Sequence, residues 1–312
     1  MSMPVRLAKK TGFCFGVKRA VRMAEDALMK KRPIYSLGSI IHNRQVVDDL
    51  SKRGLKVIKD LTKIKKGVLL ISSHGLSPKI RSSIMKRGID IIDTTCPFVL
   101  NAQRMARRLS AEGYMVIIVG DARHPEVRAL VDFAEAGVFV VKDKFEARPI
   151  KLGRDDKVSI ISQTTQSKGN FQDVVKVISE KNPKELRVFN TICEDAESRQ
   201  AQAEALSRQV DLMIVVGGRN SANTKRLFDV CAGDSGRAHL VETEAELDKR
   251  WFRPGRSTGI TSGASTPEWM VKRVVRKIRS INSKHEVSCH PEAPKALKDL
   301  YSRDSSSLRS SE

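Results

Sequence analysis

Short runs of valine and isoleucine recur along this chain, and each is followed by turn residues and then by an amphipathic stretch. An uninterrupted apolar run of about four to eight residues is typical of a strand buried on both faces of a parallel sheet. Such runs occupy residues 33–38, 67–73, 89–93, 114–120, 158–162 and 212–218. Amphipathic helical patterns alternate with them at residues 17–31, 99–113 and 194–209. This alternation predicts an α/β architecture with parallel sheets and crossover helices.

The bulk composition is that of a soluble globular protein. Hydrophobic residues make up 40% and charged residues 30% of the 312 positions, which is enough chain for two or three domains. No apolar run approaches the roughly 20 residues that span a bilayer, and the first residues lack a signal-peptide stretch. We therefore expect a cytoplasmic protein without membrane association. Thiols stay reduced in that compartment, so the five cysteines are not expected to form a disulfide framework.

The net charge of +21 favours acidic partners over nucleic acid. A surplus of this size attracts polyanions, which makes nucleic-acid binding one hypothesis. The basic residues are scattered in short clusters, however, and aromatic residues are only 5% of the chain, which leaves little material for base stacking. A solvated basic surface is the preferred interpretation, and salt-dependent binding to nucleic acid would test the alternative.

Three cysteines share one local context. Cys14, Cys96 and Cys193 each stand directly before a predicted helix. The helix dipole and the free N–H groups at such a position stabilise a thiolate. A single cysteine of this kind is most often a small buried hydrophobe, and Cys231 fits that interpretation. Three in the same context favour a shared role instead.

The spacing of these cysteines predicts a modular chain. They are 82 (96 − 14) and 97 (193 − 96) residues apart, which is roughly one domain each. We therefore expect three similar α/β modules, each of which donates one thiolate to a common centre. The predicted domains are residues 1–95, 96–192 and 193–283, followed by a Ser-rich tail at 284–312 that we expect to be disordered.

The number of thiolates limits which type of metal centre they could hold. A structural zinc site is closed by four protein ligands, commonly in close-spaced cysteine pairs, and the chain has no C-x-x-C. A [4Fe–4S] cluster held by three cysteines leaves one iron without a protein ligand. That iron can act as a Lewis acid towards a substrate oxygen. A three-cysteine metal site without catalysis, holding zinc or a degraded cluster, remains the alternative.

Polar groups follow several of the predicted strands. His42, His74 and His124 each lie just beyond a strand's C-terminal end, where α/β sheets bind ligands. Glu126, two residues after His124, is a candidate proton donor. Hydroxyl-rich segments at 162–167, 217–227 and 261–269 precede helix starts, which makes them candidate sites for a phosphate or diphosphate. The chain has neither a Walker motif nor a G-x-G-x-x-G.

Eight motifs in order carry a family resemblance that covers about residues 5–282. They are GFCFGVKRAV, IIHNRQVVDDL, SSHG, DTTCPFV, HPEV, SQTT, NSANTKRL and GASTPE. In these motifs the chain resembles the 4-hydroxy-3-methylbut-2-enyl diphosphate reductases of the non-mevalonate isoprenoid pathway. The resemblance implies three similar α/β domains arranged as a trefoil around a central [4Fe–4S] cluster. It also implies reductive removal of an allylic hydroxyl, which gives isopentenyl and dimethylallyl diphosphate.

The resemblance also assigns roles to individual residues. The implied cluster ligands are Cys14, Cys96 and Cys193. Glu126 matches the proton-delivering carboxylate, and Thr164 matches a hydroxyl that holds the substrate alcohol. The implied diphosphate clamp consists of His42, His74, His124, Ser221, Asn223 and Ser265, with a further role for His124 in proton relay.

The chain departs from the family pattern in two ways. Ala222 occupies a position where many relatives carry a second serine, so we expect one hydroxyl contact to the diphosphate to be missing. The second departure is the large positive charge, which the mechanism does not require. Our hypothesis is that this charge assists docking of an acidic electron carrier of the ferredoxin or flavodoxin type.

Overall fold

Three separate four-stranded parallel sheets form the framework of the protein. The computed structural model describes residues 4–288 except positions 31, 65, 136, 234 and 235, and it gives the backbone alone for 284–288. In chain order the strands are β1 (Val5–Leu7), β2 (Ile34–Leu37), β3 (Leu55–Ile58), β4 (Val68–Ile71), β5 (Asp90–Asp93), β6 (Met115–Val119), β7 (Val138–Val141), β8 (Lys157–Ser162), β9 (Glu185–Val188), β10 (Leu212–Val216), β11 (Ala238–Val241) and β12 (Thr258–Ser262).

Helices connect these strands. They are α1 (Phe15–Leu28), α2 (Arg44–Lys52), α3 (Pro78–Lys86), α4 (Pro97–Ala111), α5 (Pro125–Ala134), α6 (Lys144–Ala147), α7 (Lys168–Ser179), α8 (Glu194–Ser207), α9 (Ala222–Ala232) and α10 (Glu268–Ser288). All the strand pairs are parallel, as the uninterrupted apolar runs predicted. None of the helices in the described part of the chain is long and apolar enough to cross a membrane.

Each sheet repeats one strand order. The orders are β3-β2-β4-β5, β7-β6-β8-β9 and β1-β12-β10-β11. The central strands are largely buried, and helices pack on both faces to form the hydrophobic core of each lobe. The prediction of three similar α/β lobes with parallel sheets is therefore confirmed.

The chain passes from one sheet to another at each of the three cysteines. Strand β5 is the last strand of its sheet and ends three residues before Cys96. Helix α4 follows Cys96, and its alanines pack on β6 of the next sheet. In the same way α8, which begins after Cys193, packs on β10, and α1, which begins after Cys14, packs on β2 and β4. The thiols therefore lie where two lobes meet.

Strand β1 differs from the sequence-based division. Residues 5–7 fall in the predicted first domain, yet β1 pairs with β12 in the sheet that also holds β10 and β11. This strand has only three residues, which is too short for its pairing to be visible in the sequence pattern. The division at 95 and 192 remains a prediction. At the other end α10 continues to Ser288, into the predicted tail, and the tail's remaining residues lie outside the described part.

Candidate functional site

Three thiols stand at the starts of three helices and face one cavity. Cys14, Cys96 and Cys193 are the N-cap residues of α1, α4 and α8, so their predicted positions at helix starts are confirmed. The Cys14 Sγ accepts a hydrogen bond from the Val17 N–H at 3.4 Å. All three side chains line the same cavity, which encloses about 700 Å³, including space open to solvent.

A missing side chain lets two of these helix starts approach each other. Gly16 is the second residue of α1, and a Cβ atom built there would lie 2.5 Å from the Cys96 Sγ. No real carbon–sulfur contact is that short, so only glycine fits at this position. The Arg19 guanidinium adds a hydrogen bond from α1 to the Thr95 carbonyl at 3.2 Å.

Each cysteine N–H is hydrogen-bonded to a loop that carries a predicted substrate-binding residue. Cys14 donates to the Ala264 carbonyl at 3.0 Å, next to Ser265. Cys96 donates to the Ser73 carbonyl at 3.0 Å, next to His74. Cys193 donates to the carbonyl of Thr164 at 2.9 Å. The three thiols and three strand-end loops therefore form one connected structure.

Burial determines the protonation state of the free thiols. It raises the pKa of Cys14 to about 11 and also raises the pKa of Cys96 and of Cys193. The N–H groups of the helix starts act in the opposite direction, as expected, but they are the smaller effect. Without a metal these thiols are protonated at neutral pH, and a bound metal centre displaces their protons. Three partly buried sulfur donors around one cavity fit a metal–sulfur group.

A second cluster in the cavity consists of three imidazoles. The ring centroids of His42 and His74 are 4.1 Å apart, and the His124 ring lies 5.3 Å and 5.4 Å from them. One nitrogen from each of the three rings lies within 4.8 Å of those of the other two, so one small ligand can contact all three. Burial lowers the pKa of each, to about 4 for His124. Neighbouring imidazoles lower the pKa of His74 and His124 further, and Lys225 does the same for His42. The imidazoles are therefore neutral near pH 7, and an anion between them would favour their protonation.

Glu126 is a buried carboxyl that is oriented by one threonine. It is 1% exposed and lies in the first turn of α5. The Thr164 N–H donates to Glu126 Oε1 at 2.7 Å, and the Thr164 hydroxyl donates to Oε2 at 2.9 Å. Burial raises the pKa of Glu126 to about 7, although both hydrogen bonds lower it. A carboxyl with this pKa can hold and release a proton at physiological pH.

The third lobe supplies hydroxyl and amide groups at a helix start. Ser221 is the N-cap of α9 and accepts from the Thr224 N–H at 3.3 Å, and the Ser265 hydroxyl donates to the His42 carbonyl at 3.0 Å. Among the residues that the structure describes, neither side-chain polar atom of Asn223, which is 4% exposed, has a hydrogen-bond partner, and the same holds for His42 Nε2. Buried polar atoms without partners are costly, so these groups indicate a site that awaits a polar ligand.

The cavity brings together all eleven residues that the sequence singled out. They are Cys14, His42, His74, Cys96, His124, Glu126, Thr164, Cys193, Ser221, Asn223 and Ser265. Sequence reasoning missed Gly16 and Asp195, which also line the cavity. The carboxylate of Asp195 accepts from the buried Arg199 guanidinium at 2.6 Å. Asp195 and Arg199 lie four residues apart on α8, a spacing that predicts an ion pair on a helix surface. The spacing does not predict that the arginine is buried.

Comparison with known proteins identifies the family of the chain. The family model described as LytB protein matches residues 5–279. Proteins named 4-hydroxy-3-methylbut-2-enyl diphosphate reductase from Geobacter metallireducens and Pelobacter propionicus are each 46% identical to the chain, over 281 and 283 residues. These alignments cover 90% and 91% of this chain and 99% and 100% of the relatives.

Solved structures show the same fold. The E-1-hydroxy-2-methyl-but-2-enyl-4-diphosphate reductase from Plasmodium falciparum matches with a TM-score of 0.84 and 29% identity, covering 88% of both chains. The structure of (E)-4-hydroxy-3-methyl-but-2-enyl diphosphate reductase, the terminal enzyme of the non-mevalonate pathway, matches with a TM-score of 0.64 and 36% identity. It covers 89% of this chain and 100% of that one.

The fold and the shared cavity define a three-lobed α/β oxidoreductase. The chain belongs to the LytB family. Its membership of the family that its motifs resemble is therefore confirmed, as is the prediction of an enzyme.

Proposed function

We propose that this protein reduces (E)-4-hydroxy-3-methylbut-2-enyl diphosphate to isopentenyl and dimethylallyl diphosphate. One observation carries the proposal: three thiols, a buried carboxyl whose pKa is raised to about 7 and a set of anion-binding groups from all three lobes line one cavity. The reaction consumes two electrons and two protons, breaks the allylic C–O bond, forms a C–H bond and releases water. A metal–sulfur centre, a proton donor and a diphosphate handle are the three components that it requires.

The proposed cofactor is one [4Fe–4S] cluster per chain, held by Cys14, Cys96 and Cys193. When bound, it supplies electrons and one iron without a protein ligand, which acts as a Lewis acid. The three thiols are partly buried, which limits the access of water to their sulfur atoms. A site with limited solvent access favours retention of the cluster.

Glu126 and Thr164 form the proposed proton-delivery pair. A carboxyl with a pKa of about 7 is largely protonated at slightly acidic pH, so it can give its proton to the leaving hydroxyl. The backbone N–H of Thr164 holds Oε1 and thereby fixes the carboxyl's orientation. The Thr164 hydroxyl, 2.9 Å from Oε2, is placed to hold the substrate alcohol beside the donor.

The three histidines and the groups on α9 form the proposed diphosphate clamp. His124 Nδ1 accepts from the Glu126 N–H at 3.3 Å, so its other ring nitrogen carries the hydrogen that can be donated to an anion. Asn223 Nδ2 and His42 Nε2 have no partner in the ligand-free cavity and are available to the same anion. Ser221 and Ser265 add hydroxyls at the N-terminal side of α9 and α10, where N–H groups favour negative charge. Held by its diphosphate, the substrate is oriented with its alcohol towards Glu126.

The proposed electron source is an acidic one-electron carrier protein of the ferredoxin or flavodoxin type. The net charge of +21 supports an acidic partner, because attraction between oppositely charged proteins accelerates their association. Such an association does not require a large interface.

Metal analysis separates this proposal from its main alternative. We expect protein purified without oxygen to hold about four iron and about four acid-labile sulfide per chain, and both should be lost in a Cys96→Ser variant. A matched Cys231→Ser variant should keep them, because Cys231 is buried in the core of the third lobe. About one zinc without sulfide, after attempted reconstitution, would instead support a metal site without this catalysis.

Ala222 gives a prediction about substrate affinity. It is the first residue of α9, beside Ser221, and it lines the cavity. An Ala222→Ser variant adds a hydroxyl at the proposed clamp, so we expect its KM for the diphosphate to fall by a few-fold, which corresponds to about 0.5–1.5 kcal/mol for one hydrogen bond. Steady-state kinetics with cluster-loaded enzyme measure this effect. An unchanged or higher KM would contradict it.

A further inference from the structure

The three helices that begin at the cluster cysteines differ in charge. Helix α8 begins with three acidic residues, Glu194, Asp195 and Glu197. Helices α1 and α4 have no acidic residue in their first turns. Two of the acidic residues of α8 are ion-paired, Asp195 with Arg199 and Glu197 with Lys168. The start of α8 therefore differs from the starts of α1 and α4 in its acidic residues and its ion pairs.

Helices α1 and α4 carry exposed phenylalanines and basic residues, and one of the phenylalanines, Phe98, also lines the cavity. Phe15, which directly follows Cys14, is 66% exposed. Phe98, two residues after Cys96, is 37% exposed. Lys18 and Arg22 are exposed and lie three and seven residues after Phe15, on the same side of α1. Arg104 is exposed six residues after Phe98 on α4. We call these five residues the α1–α4 face.

The cations of this face are free. Within the part of the chain that the structure describes, the side chains of Lys18, Arg22 and Arg104 have no ion-pair or hydrogen-bond partner. By contrast, many surface arginines are paired, such as Arg108 with Glu112 and Arg187 with the same carboxylate. Unpaired cations on the same helices as exposed aromatic rings are a surface composition typical of a protein-binding site.

The two halves of this face are joined at the thiols. The position of Gly16 brings the start of α1 into van der Waals contact with Cys96, and Arg19 hydrogen-bonds the residue before it. Phe15 and Phe98 therefore flank Cys14 and Cys96 from neighbouring helices. A protein seated there would come close to two of the three proposed cluster ligands.

We propose that the α1–α4 face is the docking surface for a small acidic one-electron carrier protein. This inference rests on the proposed function, which needs two electrons per turnover. The carrier delivers them in two successive encounters, each of which oxidises one reduced carrier and reduces the enzyme's cofactor by one electron. Repeated short encounters require fast association and fast release, which long-range charge attraction provides and a large apolar interface does not. The start of α8 carries acidic residues and paired cations instead of unpaired cations, so electrons enter on the side of Cys14 and Cys96.

Charge reversal on this face tests the inference. The test compares cluster-loaded full-length enzyme with a variant that carries Lys18→Glu, Arg22→Glu and Arg104→Glu. A control variant carries Lys79→Glu, Lys86→Glu and Lys176→Glu, an equal charge change at exposed positions of α3 and α7, which hold no cluster cysteine. Turnover of the diphosphate is measured with a reduced acidic [4Fe–4S] ferredoxin and, separately, with dithionite.

The expected result is a selective loss. In the face variant, kcat/KM for ferredoxin at low ionic strength should fall by about 10-fold or more and lose most of its salt dependence. Its dithionite-supported rate and iron content should stay at the wild-type level. The control variant should keep both rates within about twofold, because long-range attraction alone is spread over the whole surface.

Other outcomes overturn the inference in distinguishable ways. Equal losses of ferredoxin-supported rate in both variants, or no loss in either, would place docking elsewhere while dithionite turnover still supports the proposed function. Cluster-loaded wild-type enzyme that fails to turn over with dithionite would remove the proposed function and this inference together. If the triple variant loses its cluster, the neutral pair Lys18→Gln and Arg22→Gln carries the same test, and an unchanged ferredoxin rate in that pair contradicts docking at this face.

Discussion

A Glu126→Gln variant is expected to turn over the diphosphate about 10²- to 10⁴-fold more slowly than wild type, which is the usual contribution of a positioned proton donor. Glutamine keeps the size of the side chain and can still accept from the Thr164 N–H, so the local structure should hold. What it cannot do is give up a proton to a leaving hydroxyl. Single-turnover kinetics on cluster-loaded enzyme measure the loss. Substrate affinity should change little, because the proposed diphosphate clamp is formed by other residues.

The pH dependence of the wild type provides an internal control. Because burial raises the pKa of Glu126 to about 7, the fraction of protein with a protonated donor falls as pH rises through that value. The bound diphosphate's negative charge raises the pKa further, so kcat should decline above about pH 7. The residual rate of the Glu126→Gln variant should show no such decline. A parallel decline in both proteins would assign the titration to another group.

Stability should respond to the same carboxyl with a defined sign. The folded state binds the Glu126 proton more tightly than the unfolded chain, whose carboxyl titrates near pH 4.5. The carboxyl's contribution is therefore fully present below about pH 4.5 and is lost as pH rises towards about 7. The free energy of unfolding of the wild type should fall over this window relative to that of the Glu126→Gln variant.

A Gly16→Ala variant is expected to fold but to lose its cluster. The new methyl carbon would lie 2.5 Å from the Cys96 Sγ, so either the thiol or the start of α1 must move. Cluster ligands tolerate displacements of only a few tenths of an ångström, because iron–sulfur distances are short and fixed. We expect iron and sulfide per chain to fall from about four each to near zero after gel filtration.

The chain offers a matched control for this substitution. Gly169 also lies in the first turn of a helix, α7, and a Cβ there would meet nothing within 4 Å. Gly169→Ala should therefore keep its iron and gain up to about 1 kcal/mol in helix stability. Normal iron content in Gly16→Ala, with unchanged circular dichroism in both variants, would show that the start of α1 can shift without affecting the thiols.

The sequence predicted the central strands and missed most of the edge strands, for a physical reason. Strands such as β6 and β10 are covered by helices on both faces, so their sequences are continuous apolar runs. At the sheet edges β3 and β9 expose part of their length and carry mixed residues, which leaves no clear period. Strand β7 is different, because its sequence VFVV is a short apolar run that the sequence-based prediction missed. The exception is β12, a central strand with the sequence TGITS, whose threonine and serine side chains are buried although they are polar.

The candidate site was more accessible to prediction than the fold that builds it. Chemistry requires particular residue types, so a cysteine before a helix or a histidine after a strand can be recognised without knowing what it meets. Packing constraints are different. The need for glycine at position 16 arises from a sulfur atom 80 positions away in the chain, and the protonated state of Cys14 arises from burial by several lobes. Neither effect has a local sequence signal.

The three hydrogen bonds from cysteine N–H groups to the loops at Ala264, Ser73 and Thr164 have a thermodynamic consequence. A thiol that moves to ligate a cofactor carries with it the loop that presents Ser265, His74 or the Glu126 partner. Under the proposed function, cofactor insertion and substrate affinity are therefore linked equilibria, and linkage is reciprocal. Loss of the cofactor should therefore weaken diphosphate binding by the same factor by which loss of the diphosphate weakens cofactor binding. Copies of the protein without cofactor would then hold less of the substrate.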